Sequence, residues 1–311
     1  MDQAEISRIA SLQELNNGID SLSRVFKVNS YVLLDSTYII ESEPALNILL
    51  KPWLVGAELA NGARDSTVDF LRVAYHIVPE LRSTSFSQIT EVVPLAGALY
   101  YSTAEAFEIV FGETINRCFI GAKRHPSPLG WVTELSYMNF EALPENPLVI
   151  VGDTIATGGT IEGILKAVID EEPDLRAIVI YSIAGGISGA VRMKKFAERI
   201  DTPIHLFFSS AIFGVESNGT DMPWLHEGTI VSTELREKAI AAYGSELGKR
   251  WCSVWDWGDR AKHPHKHLHE LLERCETELS RNPDILTGRI LNSIREQTVK
   301  SIERWQSSPK L

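Results

Sequence analysis

The clearest change of hydrophobic period falls at Pro147-Leu148-Val149-Ile150-Val151-Gly152-Asp153. The apolar run ends abruptly in Gly152-Asp153. A turn of glycines and small hydroxylated residues follows, and Ile161, Ile164, Leu165, Val168 and Ile169 then recur at helical spacing. This pattern predicts a buried strand, a loop and a helix. Residues rich in strand formers predict further strands over 28–40, 89–97, 117–124, 175–183 and 203–209, with 131–140 completing a hairpin or flap. A helix is expected over 1–26, where Ile6, Ile9, Leu12, Leu15, Ile19, Leu22 and Val25 share one side. Others are expected around 45–60, from a Ser66 or Thr67 cap to about residue 81, and over 100–110, 191–200 and 234–247. The segment 264–306 reads as two helices, and 211–232 as loop-rich.

Strands alternating with helices predict an α/β fold, a parallel sheet with helices on both faces. Ligands of such sheets bind beyond the carboxyl ends of the strands. That rule places Ala96-Gly97, Lys123-Arg124, the residues 153–160 and 184–186 along one rim.

The loop itself carries candidate chemistry. Backbone N–H groups of a glycine turn at a helix start favour an anion, and the helix dipole adds to this. Thr157 and Thr160 can add hydroxyl donors, and Asp153 can accept from ribose hydroxyls. The loop lacks the Gly-Lys-Ser/Thr ending of a nucleoside-triphosphate loop and the Gly-x-Gly-x-x-Gly of a dinucleotide fold. An ordinary strand-to-helix turn is the alternative.

Composition narrows the classes. Apolar residues make up 44% of 311, ample for a core. No apolar run approaches a membrane span, and the N-terminus lacks the basic start and apolar core of an export signal. Three widely spaced cysteines, Cys118, Cys252 and Cys275, fit a reducing cytoplasm without a zinc site. The net charge of −11 disfavours nucleic acid. A polyanionic substrate needs a local cationic pocket against that field. His263, His265, His267 and His269 alternate. A solvated helix start and a metal site both remain open for them, although only 265 and 269 would share a helical face.

The 147–160 stretch resembles the ribose-phosphate loop of type I phosphoribosyltransferases, in which two acids and two variable residues precede Ala-Thr-Gly-Gly-Thr/Ser. A second segment, Asp256-Trp257-Gly258-Asp259-Arg260, resembles the Gly-Asp-Arg region of uracil phosphoribosyltransferases. Val93-Pro94-Leu95-Ala96-Gly97 is similar to their diphosphate loop, Ile120-Gly121-Ala122-Lys123-Arg124 to their Ile-Gly-Leu-Tyr-Arg, and Arg64-Asp65-x-Thr67 to an early Arg-Asp motif. Five weak motifs in order make a stronger match, over roughly 60–262.

The resemblance implies an enzyme that displaces diphosphate from phosphoribosyl diphosphate (PRPP) with a ring nitrogen, Mg²⁺ accompanying the donor. It implies PRPP contacts from Arg124, Gly152, Asp153, Thr154, Ile155, Ala156, Thr157, Gly158, Gly159, Thr160 and Asp256, with Leu95, Ala96 and Gly97 as diphosphate loop. Arg124, Asp153 and Asp256 would carry catalysis, Asp256 also standing near the metal. The base would be bracketed by Arg250, Trp255, Asp256, Trp257 and Gly258. Trp251, Trp255 and Trp257 are either packing under a hood or, for the latter two, faces for a planar heterocycle larger than uracil.

Four departures are visible. Leu95 replaces an arginine, Gly152 an acid, Arg250 an apolar residue, and Trp255 and Trp257 smaller residues. A non-catalytic PRPP- or nucleotide-binding regulator of the same fold is the rival reading. Residues 1–60 are expected as an N-terminal extension, 61–262 as the main domain with its hood, and 263–311 as a helical extension. A homodimer, no membrane partner and a cytoplasmic location complete the expectations.

Overall fold

The computed structural model describes residues 1–15, 23–95, 97–127, 130–251 and 257–306, with the backbone alone at Arg124, 126, 127, 130, 131, 257–259 and 306. Twelve strands are described: β1 (Ser11–Glu14), β2 (Arg24–Asn29), β3 (Thr37–Glu41), β4 (Ile89–Leu95), β5 (Asn116–Ser127), β6 (Gly130–Asn139), β7 (Leu148–Gly152), β8 (Ala177–Ser182), β9 (Gly185–Gly186), β10 (Ile204–Ser209), β11 (Ala211–Phe213) and β12 (Ile230–Val231). The helices are α1 (Gln3–Ile9), α2 (Glu43–Leu50), α3 (Ala57–Ile77), α4 (Pro79–Ser83), α5 (Thr103–Phe111), α6 (Gly159–Glu171), α7 (Ile187–Ala197), α8 (Thr233–Tyr243), α9 (Ser245–Gly248), α10 (Trp257–Lys262), α11 (Pro264–Ser280) and α12 (Ile285–Gln306).

Nine strands form one sheet in the order β1-β2-β3-β10-β8-β7-β4-β5-β6. The inner pairs, from β3–β10 through to β4–β5, are parallel. Antiparallel pairs β1–β2, β2–β3 and β5–β6 close the two edges. The central strands are buried on both faces, which is why they read as unbroken apolar runs. Leu148 and Ile150 of β7 pack into one core, with α2, α3, α5 and the C-terminal helices. Val149 and Val151 pack into the other, under α6 and α7. The mixed α/β class, with a large, mostly parallel sheet between helices, is as the sequence led us to expect.

Three expectations are corrected. The 1–26 helix stops at Ile9, and the chain turns into the β1–β2 ladder, Ser11 opposite Asn29. The apolar spacing of this segment fits a helix, yet only Ile6 of α1 is buried. Residues 28–40 divide into the end of β2 and most of β3, around a turn closed by Thr37 N–H donating to Leu34 O (3.1 Å). Ser66 and Thr67 do not cap a helix. They lie buried within α3, Thr67 Oγ1 donating to Ala63 O (3.0 Å) and Ser66 Oγ meeting the Tyr181 hydroxyl.

The boundary expected at residue 60 falls inside α3, and β2–β3 belong to the main sheet. The turn after α2 is also locked to the C-terminal segment. Arg260, fully buried, donates to the carbonyls of Leu54 (2.9 Å), Ile48 (2.9 Å) and Lys51 (2.8 Å). His267 Nε2 donates to Pro52 O (2.7 Å) and Tyr243 OH to Leu50 O (2.7 Å). Five carbonyls of one turn are thus satisfied by side chains from 243–267, so the terminal segments are interlocked. His267 is accordingly buried, not solvated, while His265 and His269 share the exposed face with rings 6.4 Å apart.

Candidate functional site: the loop beyond β7

The carboxyl ends of β4, β7 and β8, parallel neighbours, lie along one rim, as expected. At that rim the loop after β7 is fixed by its own backbone. Asp153 N–H donates to Tyr181 O (3.1 Å), continuing the β7–β8 register past Gly152. Ile155 is buried, and its N–H is shared by Ala184 O and Ser182 Oγ, each at 3.2 Å. The Ile155 carbonyl accepts from Gly186 N–H (2.6 Å) and the Ala156 carbonyl from Gly189 N–H (3.0 Å). Two loop carbonyls are therefore spent on the start of α7. Gly158 then opens α6 at φ +76°, with no side-chain cap. A Cβ there would meet Gly189 Cα at 3.1 Å, so both φ and space require glycine. The first N–H groups of α6 lack intrahelical partners by helix geometry, and the carbonyls that could compete for an anion's place are turned away.

The Asp153 carboxylate accepts from Thr154 N–H (2.8 Å). Burial pushes its pKa up to about 7, with the Thr154 N–H and the Lys262 charge acting the other way. The carboxylate is thus poised to ionise near neutrality and to gain from a partner that donates hydrogen bonds.

Five side chains around this loop were not singled out from the sequence. Tyr101, fully buried, packs over Gly152, and its hydroxyl accepts from Ile183 N–H (3.1 Å). Thr133 on β6 brings the flap to the loop, its Oγ1 lying 3.3 Å from Thr160 Oγ1. Arg192 of α7 brings its Cδ to 3.2 Å from the Cβ position of Gly158 and its Nη1 to 3.9 Å from that of Gly159. Glu162 of α6 bonds Arg192 (3.0 Å), Lys166 (2.9 Å) and Arg199 (2.8 Å). Of these three cations only Arg192 is placed against the loop; Lys166 shares a cleft with Asp170 and Glu171, and Arg199 one with Glu172, Asp174 and Asp201, on a chain of −11. Although burial raises the Glu162 pKa, Lys166, Arg199 and Arg192 bring it down to about 2. Lys166 stands four residues from Glu162 on α6, whereas only the packing of the helices brings Arg192 and Arg199 to it. The fifth is Lys262, whose charge reaches Asp153 from α10.

The second sequence segment lies against the first through a short 3-10 turn, Gly97–Tyr101. Tyr100 OH donates to Ala261 O (2.5 Å), holding α10 on this turn, while Tyr101 of the same turn covers Gly152. Trp257 and Gly258 open α10; Trp255 and Asp256 lie outside the described residues, as does Ala96. Leu95 ends β4 opposite Gly121, and Arg124 stands opposite Thr133 in the β5–β6 register, next to the Thr133–Thr160 contact. Arg250 is not turned to this rim. It pairs with Glu278 of α11, in a cleft of about 390 Å³ shared with Trp251, Glu273, Arg274, Thr277 and Arg281. The reason is local: Arg250 and Trp251 N–H groups both bond Leu247 O (3.1 and 2.8 Å), which prolongs α9 and buries Trp251. Arg64 pairs with Asp65 (2.8 Å) and Glu105 (3.2 Å). Arg260 is held by the three carbonyls; the side chain of Asp259 lies outside the described residues.

Cys118 and Cys275 are buried free thiols. Among the described residues no group of three or more His, Cys, Asp or Glu side chains could hold a metal ion, and no helix is long and apolar enough to cross a membrane.

No family model matches the chain, and no curated protein matches it in sequence. Solved structures do. The AQ2163 protein of Aquifex aeolicus is 17% identical, over 59% of this chain and 91% of its own, with a TM-score of 0.45. Adenine phosphoribosyltransferase of Thermoanaerobacter pseudethanolicus is 13% identical, over 49% of this chain and 84% of its own, with a TM-score of 0.31. Adenine phosphoribosyltransferase of Saccharomyces cerevisiae, in complex with an imino-altritol bisphosphate and adenine, is 12% identical, over 66% of this chain and 97% of its own, with a TM-score of 0.33.

Proposed function

We propose that this chain transfers ribose 5-phosphate from PRPP to a ring nitrogen of a heterocyclic acceptor, with release of diphosphate. The observation that carries the reading is the 153–160 loop. Its carbonyls at 155 and 156 are tied to α7, its helix start has no side-chain cap, and its one acid, Asp153, ionises at about 7. The ordered sequence motifs support it too.

In this reading Thr157, Gly158, Gly159 and Thr160 take the 5-phosphate, and Arg192, beside Gly158 and Gly159, answers its negative charge. Asp153 accepts from the ribose hydroxyls, and the backbone of Thr154, Ile155 and Ala156 shapes the loop. Arg124, Leu95, Ala96 and Gly97 flank the diphosphate. Asp256, Trp255, Trp257 and Gly258 bracket the acceptor. The acceptor nitrogen's lone pair forms the bond to C1, the C1–O bond breaks, and its electron pair leaves on diphosphate. The proton of the acceptor N–H passes to solvent. The protein contributes position and charge rather than a covalent nucleophile.

Mg²⁺ is proposed to arrive with PRPP, held mostly by substrate oxygens and water. Asp153 fits as a single carboxylate neighbour, which suits an ion that keeps most of its shell. Uracil and larger aromatic heterocycles are the acceptors to test, in the cytoplasm and in a homodimer.

One observation favours a second reading, binding of PRPP or a nucleotide without turnover. The Tyr101 ring fills the space over Gly152, so the first acid of the resembled motif has no room. Diphosphate release from PRPP with Mg²⁺ over a panel of nitrogen heterocycles separates the two. Release that depends on one acceptor supports transfer; saturable PRPP binding with no release from any acceptor supports the second reading.

A further inference from the structure

The N-terminal helix lies outside every sequence motif, yet it is joined to the loop site through a second loop. Val215 and the residues up to 229 leave β11 and return at β12. Gln3 of α1 holds the outgoing end with two hydrogen bonds: its Nε2 donates to Val215 O (2.8 Å), and its Oε1 accepts from Val215 N–H (2.7 Å). The returning end is held as well. Ser7 Oγ donates to Thr229 O (3.3 Å), and Gln3 Cβ lies 2.6 Å from where a Cβ on Gly228 would stand. Thr229 Oγ1 in turn accepts from Gly214 N–H (2.9 Å), closing the neck. Ile6, on the same helix, is buried in the α6–α7 core, which fixes α1 in place.

The neck packs on Gly186, the donor to the β7 loop, and the tip approaches the loop itself. Val215 Cγ2 stands 2.3 Å from the Cβ position of Gly186, and Gly186 N–H is the donor to Ile155 O. At the tip a tight turn is closed by Gly219 N–H to Glu216 O (2.9 Å) and Glu216 N–H to Asp221 O (2.8 Å). Asn218 Oδ1 accepts from Thr220 and Asp221 N–H groups, each at 3.0 Å. This turn sets Gly219 with its Cβ position 3.5 Å from Thr157 Cγ2. The 214–229 loop is therefore a wall on the Thr157 side of the site, its two ends held by α1 and its middle by the buried Met222 and Trp224 and by Leu225 N–H donating to Gly248 O (3.0 Å).

We propose that Gln3 is a positioning residue for the donor site: through Val215 it sets both the Gly186–Ile155 bond and the wall over Thr157. The inference rests on the PRPP reading for its ligand, and on the contacts alone for its coupling. Removing Gln3 loosens the wall and the loop together, weakening a ligand held at 156–160 while leaving the core intact.

The test compares full-length wild type, Gln3→Ala and Gln3→Glu. Amide hydrogen exchange is measured without ligand, and PRPP with Mg²⁺ is titrated by calorimetry. In Gln3→Ala, the amides of Val215 and Gly186 exchange faster while those of α3 stay protected, and PRPP binds about tenfold more weakly, the scale of a lost hydrogen bond. Gln3→Glu keeps the acceptor for Val215 N–H and falls between the two. Faster exchange confined to Val215, with Gly186 and PRPP affinity at wild-type values, overturns the proposal. If wild type binds no PRPP, the proposed function fails. The Gly186 exchange still decides the coupling: faster in Gln3→Ala upholds it, unchanged refutes it.

Discussion

The ring of Tyr101 occupies the space into which a side chain at Gly152 would project: a Cβ at Gly152 would meet Tyr101 Cδ1 at 2.8 Å and Cγ at 3.0 Å. The ring cannot simply swing aside, because it is fully buried, stands edge-on to Tyr181 (centroids 5.8 Å apart) and binds Ile183 N–H. Gly152→Ala is therefore overpacked and costs about 1–3 kcal/mol. In a Tyr101→Ala background the same change costs much less, and a double-mutant cycle by urea denaturation measures the difference.

Asp153 governs pH dependence. Its folded pKa, raised from 3.8 to about 7, means that the native state holds a proton the unfolded chain releases. Its contribution to stability is fully present below about pH 3.8 and is lost as pH rises through about 7. A ribose ligand prefers the ionised form, so affinity for PRPP rises between pH 6 and 8, beyond the change due to the phosphate itself. Titrations of wild type and Asp153→Asn over that range check this: the variant loses the Asp153 part of the pH dependence and binds more weakly, by tenfold or more on the scale of a charge-assisted hydrogen bond.

Glu162 has the opposite sign. Its folded pKa lies near 2 against 4.5, so its stabilisation is present above about pH 4.5 and is lost as pH falls toward 2. Glu162→Gln costs on the order of 2 kcal/mol at pH 7 and nearly nothing at pH 2, read from denaturation midpoints. Because Arg192 loses its partner, the variant retains PRPP binding at low salt. Loss of binding in a folded Glu162→Gln protein would count against the charge role given to Arg192.

Much of the architecture was legible because buried strands and amphipathic helices announce themselves locally. The run 148–151 and the spacing of Ile161, Ile164, Leu165 and Val168 fall in β7 and α6 as expected, and the 131–140 flap pairs with β5. The failures share a cause, since each depends on a partner far away in sequence. The helical spacing from Ile6 to Val25 gives way to a hairpin because Val25 and Val28 are buried in a sheet whose neighbour is β3. Ser66 is drawn into a helix by Tyr181 and Ser209, more than a hundred residues on. At the site, Asp153 and the glycines were readable, whereas Tyr101, Arg192 and Gly219 reach the loop only through packing.

Arg260 tests the interlock of the two ends of the chain. Burial lowers its pKa to about 10, and its three guanidinium nitrogens donate to three carbonyls. Lysine cannot reproduce that fork. Arg260→Lys should lose about 2–4 kcal/mol, the scale of buried groups left unpaired. The amides of 48–56 and 264–272 should lose hydrogen-exchange protection together; loss in one segment alone would show that the ends are not coupled.

The central claim is that the 153–160 loop takes the ribose 5-phosphate of PRPP. Its most direct measurement is a calorimetric titration of PRPP with Mg²⁺ into the wild-type chain, repeated with Gly158→Val, which can adopt neither the φ of +76° nor the 3.1 Å approach to Gly189. The account predicts saturable binding of one PRPP per chain and its loss in the folded variant. No saturable heat with wild type, or equal affinity in Gly158→Val, would contradict it.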